Sequence, residues 1–313
     1  MIATVVLAAV AALDLSGVFP PEVKTVGVVM PASILAKAKY DRGVDALKAA
    51  GYRVKPAPRL SFDKLAPVED RVKDFEETWL DPEVDLVLCA RGGSGAEKVM
   101  RKLDWAKLRT RNDQRLLGFS NITWLLNTML RENVGHPISG PSLTQFRYLK
   151  KPSLSWLAEV LAKKPLKVQP LKALKPGAFA GLPCGGHLDI LRGMAERKLL
   201  PDATGRVVFL ECSVRDPRLV AGYVKTLLDS GWFKGAAGVV FGDITPGDEK
   251  LKPLKGAART AALATLEQMK RDFAAKVDCP VYENYDYGHV PVSLAIDFRR
   301  RVSVSPDGLL QYD

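Results

Sequence analysis

From residue 25 onward, short continuous apolar runs alternate with stretches whose apolar residues fall at helical spacing. KTVGVVMPA reads as a buried strand, ILAKAKYDRGVDALKAAG as a helix ending at Gly51, YRVKPAP as a short strand and RVKDFEETWL as a helix. DLVLCA, residues 85–90, is another continuous apolar strand, followed by the turn RGGSG and the helix AEKVMRKL. RLLGFS and ITWLLNTMLREN supply the next strand and helix. Strands alternating with helices imply an α/β fold, a parallel sheet with helices on both faces. Ligands bind such sheets beyond the carboxyl ends of the strands. RGGSG and GFSNIT both follow strand ends, so they are expected to line one crevice.

Residues 151–180 are rich in Lys and Pro and hold one helix, SLSWLAEVLA, among breakers. They read as a linker between an N-terminal domain, 25–150, and a C-terminal domain, 181–313. A chain of 313 residues is long enough for two domains. In the second half, CGGHLDILRGM reads as a Gly-Gly turn into a helix, and RVVFLE as a strand ending at Glu211. DPRLVAGYVKTLLDSG is a helix, AAGVVFGDI a strand, and roughly 255–276 a long helix. The end, PVYENYDYGHVPVSLAIDFRRRVSVSPDG, reads as short strands with turns, which makes this half α/β but more mixed.

The apolar and charged fractions are those of an ordinary globular protein. A formal charge of +11 is dispersed along the chain, without the dense basic stripe or module of a nucleic-acid binder, so no nucleic-acid partner is expected. Cys89, Cys184, Cys212 and Cys279 lie far apart, and the three histidines lack zinc-ligand spacing. The cysteines read as buried thiols, with a disulfide left open if the protein is exported. Ile2 to Val10 is a short apolar run before a small-residue, cleavage-like Ala9-Val10-Ala11, yet no Lys or Arg precedes it. It is too short to span a bilayer, and no other stretch is long enough. Cytoplasmic and periplasmic locations both stay open.

Ser120, between RLLGF and a helix, has two readings. It is either an N-cap, whose side-chain oxygen accepts a bond from a free helix amide, or a nucleophile on a tight strand-to-helix turn beside oxyanion-holding amides. A nucleophilic serine needs a base, and the base an orienting group. The histidines are His136, His187 and His289, and His289 lies in YDYGHVPV, a loop after a strand. Glu211, at the end of an apolar strand, is either an orienting acid at the crevice mouth or a capping or ion-pairing residue.

With Ser, Glu and His in this order, the chain resembles the LD-carboxypeptidases, serine peptidases that include microcin-immunity peptidases. The words that carry the resemblance are VGVVMPAS, CARGGSGAEKVMRKLDW, LLGFSNITWLL, HPISGP, CGGHLDIL, VVFLE and YGHVPVSLAIDF, in the family's order over roughly residues 25–305. The resemblance implies a flavodoxin-like N-terminal domain carrying the nucleophile and a smaller α/β domain carrying the acid and the histidine. It implies Ser120 as nucleophile, Glu211 as orienting acid and His289 as general base. It places the oxyanion hole in the amides of Asn121 and of Gly92 or Gly93, with no metal and no cofactor. Independently, glycines in RGGSG let backbone amides approach a ligand closely and form an anion nest. Arg91 either adds charge for the substrate's terminal carboxylate or forms a structural ion pair. The usual substrate of the family is a murein tetrapeptide cut before its terminal D-alanine. The family also implies a homodimer.

Three positions depart from the family's words. Asn121 stands where Asp is common, which spares a backbone role and puts a side-chain role in doubt. Gly-Gly-His-Leu replaces Gly-Gly-Asn-Leu, so His187 either contacts substrate or caps the helix. Ser94 replaces an aromatic residue of the RGG turn. Two alternatives follow: a peptidase of peptidyl-nucleotide amides, for which Trp124, Trp232, Tyr285 and Tyr287 are the candidate aromatic wall, and a muropeptide-binding protein without turnover.

Overall fold

The computed structural model describes residues 14–167, 170–214, 216–246 and 254–313. The run Ile2 to Val10, and with it the question of a secretory signal, lies outside the described residues. Five parallel strands form the first sheet in the order Arg53–Pro56, Thr25–Val29, Leu86–Cys89, Arg115–Gly118 and His136–Ser139. In chain order this is 2-1-3-4-5, the flavodoxin-like arrangement. Its central strands are continuous apolar runs because helices cover both faces, and Val26, Val28, Leu86, Leu88, Leu116 and Leu117 are fully buried. Leu86–Cys89 lies directly beside Arg115–Gly118. The RGGSG turn and Ser120 therefore leave the sheet side by side at its carboxyl edge.

His136–Ser139 is a strand that periodicity did not announce, since Pro137 reads against one. A two-residue strand from the end of the chain, Ile296–Asp297, pairs antiparallel with it and closes that edge. The second sheet runs Lys172–Lys175, Val281–Glu283, Gly238–Pro246, Val207–Val214 and Pro183–His187, parallel except for the first strand. A third, antiparallel sheet joins Leu166–Lys167, Leu310–Tyr312, Val302–Val304 and Phe179–Gly181. Besides the helix Lys151–Leu161, residues 151–180 thus supply the edge strands Leu166–Lys167 and Lys172–Lys175 and the start of the edge strand Phe179–Gly181.

Two expectations are corrected. CGGH is not a turn but part of the strand Pro183–His187. Its glycines hold φ of +115° and +131°, and a Cβ would stand 2.1 Å from the Phe209 carbonyl at Gly185 and 2.6 Å from Thr123 Oγ1 at Gly186. They are there for close approach, not for reversal. Glu211 does not end its strand, which continues to Val214; the register slips between Leu210 and Cys212. Such an irregularity re-aims a side chain, and it sits at Glu211. The four cysteines are buried free thiols. Among the described residues no helix is long and apolar enough to cross a membrane.

Candidate active site

Ser120 opens a short 3-10 turn, Ser120–Ile122, that leads into the helix Thr123–Glu132. Its φ is +62°, in the left-handed region that non-glycine residues rarely adopt. The residue in the N-cap position is Phe119, and no side chain caps this turn. The capping explanation of Ser120 therefore does not describe the structure. A strained serine on a strand-to-helix turn instead holds its hydroxyl out of the sheet edge, where backbone strain of this kind concentrates at functional positions.

His289 Nε2 lies 3.3 Å from Ser120 Oγ, and His289 Nδ1 lies 2.9 Å from Glu211 Oε2. The imidazole is 30 % exposed, whereas Glu211 is fully buried. Thus the three residues singled out in sequence, separated by 91 and 78 positions (120 to 211, 211 to 289), meet in one chain of contacts. Burial alone would lower the affinity of His289 for a proton, but the charge of Glu211 and its hydrogen bond outweigh it and raise the imidazole above its usual value. Burial pushes Glu211 upward, while His289, His187 and the bond from His289 pull it below the usual carboxylate value. Such an arrangement can move a proton from the Ser120 hydroxyl to Nε2 and stabilise the resulting imidazolium. The Phe119 ring, 4.8 Å from that of His289 and 5.8 Å from that of Tyr287, braces the imidazole from below. Tyr287 OH in turn shares a 2.7 Å hydrogen bond with Ser139 Oγ of the first sheet.

The RGGSG turn abuts the serine. A Cβ on Gly92 would stand 2.9 Å from the Phe119 carbonyl, 3.0 Å from Ser120 Cβ and 3.3 Å from the Asn121 amide nitrogen. Asn121 keeps a side-chain role: its Oδ1 accepts the Ala96 N–H at 3.0 Å, tying the helix after RGGSG to the serine turn. Ser94 is also absorbed locally, its N–H donating to Ser33 Oγ at 2.8 Å. Ser33, in the MPAS word, holds the RGGSG turn through this contact, and sequence reading did not single it out. Arg91 Nη1 donates to the Ile34 carbonyl at 3.0 Å, which makes it a brace of the 33–35 loop rather than half of an ion pair. Trp124, Trp232, Tyr285 and Tyr287 are all buried, so none offers a stacking face.

Asn127 was also missed, although a polar residue inside the apolar helix ITWLLNTML is itself a signal. It is fully buried, donates from Nδ2 to the Gly185 carbonyl at 2.8 Å and accepts the Gly185 N–H on Oδ1 at 3.1 Å. Beside it, His187 N–H donates to Thr123 Oγ1 at 3.2 Å. These bonds lock the serine helix to the sheet that carries Glu211. Replacing Asn127 by alanine orphans both backbone groups of Gly185, and denaturant unfolding is expected to show a loss of about 2–4 kcal/mol. A loss below about 0.5 kcal/mol, the range of unremarkable substitutions, contradicts this clamp.

Comparison with known proteins gives the following. The family model described as the LD-carboxypeptidase N-terminal domain matches residues 26–137, and that of the LD-carboxypeptidase C-terminal domain matches residues 180–304. A putative carboxypeptidase of Streptomyces coelicolor is 29 % identical over 288 residues, covering 87 % of each chain. A probable murein peptide carboxypeptidase of Bacillus subtilis is 28 % identical, covering 90 % of this chain and 88 % of its own. Among solved structures, an MccF-like protein from Bacillus anthracis superposes with a TM-score of 0.79 at 18 % identity, over 92 % of this chain and 96 % of that one, which is a likeness of fold.

Proposed function

The chain belongs to the LD-carboxypeptidase family, and from that premise we propose that it is a serine carboxypeptidase cutting the L,D-peptide bond before the C-terminal D-alanine of murein tetrapeptides. The observation that carries the reading is the contact chain Ser120 Oγ, His289 Nε2, His289 Nδ1, Glu211 Oε2 at 3.3 and 2.9 Å. Ser120 attacks the carbonyl of the L-centre, and His289 takes its proton and returns it to the leaving amine of D-alanine. Glu211 holds the imidazole with Nδ1 protonated and Nε2 free to accept, and its charge stabilises the imidazolium. Water, activated by the same imidazole, then hydrolyses the acyl-enzyme. A serine–histidine separation of 3.3 Å in a protein without substrate is of the loose kind that tightens on binding.

The amides of Asn121 and of Gly92 or Gly93 hold the developing oxyanion. Close packing of Gly92 on the serine turn supports this role. A methyl group at position 92 forces the Phe119 carbonyl or Ser120 aside, and Gly92→Ala is expected to lower kcat/KM about a hundredfold, as displacements near 1 Å do. Unchanged turnover in that variant removes the RGG turn from the oxyanion site. We assign the nucleophile to a domain at 25–150, and the acid and base to one at 181–313, across the Asn127 clamp.

Relatives carrying the murein name support a muropeptide substrate. The burial of all four candidate aromatic residues speaks against a stacked nucleotide base. The reading is tested by offering tetrapeptides ending in D-alanine and in L-alanine beside a peptidyl-nucleotide amide. Release confined to D-alanine supports it. Equal release of both isomers, or cleavage of the nucleotide amide alone, replaces it.

A further inference from the structure

His187 ends the strand Pro183–His187, and the proton chemistry above makes no use of it. In register it lies directly beside Glu211, on the neighbouring parallel strand. Among the described residues its buried Nδ1 has no hydrogen-bond partner. Glu211, fully buried, also has one carboxylate oxygen, Oε1, without a partner among the described residues. The rings of His187 and His289 stand 5.6 Å apart, edge to face. A ligating atom of each of His187, Glu211 and His289 lies within 4.8 Å of the other two. Two imidazoles and a carboxylate are one of the three-ligand donor sets that hold zinc in enzymes.

We infer that His187, Glu211 and His289 form a transition-metal site, of the zinc class, which competes with the proton relay and makes the metal a reversible inhibitor. Ligands of a tetrahedral zinc, each about 2.0–2.2 Å from the ion, stand about 3.3 Å apart, so the most distant pair of the group must close by up to about 1.5 Å while His289 Nδ1 and Glu211 Oε2, 2.9 Å apart, open slightly. His289 can supply that movement, since it sits on a partly exposed loop after Gly288, whose φ is +149°. The ion takes the place of the His289 Nδ1 proton against Glu211. That proton moves to Nε2, where the imidazole can no longer accept the proton of Ser120. No hydrolytic step is assigned to the metal.

Binding does not depend on the peptidase reading; inhibition does. Binding of Zn2+ to the purified, metal-stripped full chain is therefore measured by equilibrium dialysis, and absorbance with Co2+ reports the coordination. His187→Asn is the comparison, since asparagine keeps the volume and removes the imidazole, and Glu211→Gln is the second. One equivalent of Zn2+ is expected on the wild type, with affinity lowered about tenfold or more in either variant, the scale seen even for outer ligand partners. Where D-alanine release is observed, micromolar Zn2+ should suppress it in the wild type, chelator should restore it, and His187→Asn should resist. No binding, or binding unchanged in His187→Asn, overturns the site. Binding without inhibition overturns the competition with the relay.

Discussion

Ser120→Ala is expected to lower kcat/KM by about four to six orders of magnitude, the scale for loss of a serine nucleophile whose partners act as a unit, with the fold intact. Ser120→Gly is expected to be equally inactive and more stable. At φ +62° the serine pays left-handed strain that glycine does not. Relief of about 1–3 kcal/mol, less about 0.5–1 kcal/mol for the greater chain entropy of glycine, leaves a net gain of about 1 kcal/mol. Thermal unfolding of the two variants side by side measures it. A glycine variant less stable than the alanine variant contradicts the strain argument, and turnover in either that stays within about a hundredfold of the wild type contradicts the nucleophile.

Glu211→Gln carries the second large effect. Only neutral His289 can take the serine proton, so activity rises as pH passes upward through the pKa of that imidazole. The charge of Glu211 raises this pKa above the ordinary histidine value. Removing the charge lowers it, so the acid limb of the kcat/KM profile moves to lower pH. At the same time the plateau falls by about three to four orders of magnitude, because glutamine neither stabilises the imidazolium nor enforces the Nδ1-protonated tautomer. The pairing of a lower plateau with a limb shifted to lower pH distinguishes this role from simple damage. An acid limb that stays in place, or moves upward, would falsify the assignment.

Much of this site could be read from the chain because its signals are local. An apolar run ending in Gly-Phe-Ser before a helical stripe placed Ser120 at a strand end, and the burial of Leu116 and Leu117 follows from the same run. What escaped is what depends on distant neighbours. Gly185 and Gly186 look like a turn, but their φ values answer to the Phe209 carbonyl and Thr123 on other elements. The slip of register that re-aims Glu211 is set by the pairing of two strands, not by either one. Asn127 stands out as a polar residue in an apolar helix, but what it does shows only when Gly185 is brought against it. Ser120 shows the limit most clearly, since the residue that favours a cap also suits a left-handed turn, and only the backbone angle separates them. The charge of +11 told nothing about the site, where the Glu211–His289 pair is internal to the cleft.

The most direct measurement is D-alanine release from L-Ala-γ-D-Glu-meso-diaminopimelate-D-Ala, followed by mass spectrometry, with Ser120→Ala run in parallel and the quenched wild type mapped for an acyl group. The account predicts free D-alanine and the tripeptide in equal amounts, a tripeptidyl ester on Ser120 when it is trapped, and no release by the variant. Intact tetrapeptide after incubation with folded wild-type protein, or release that persists in Ser120→Ala, contradicts it.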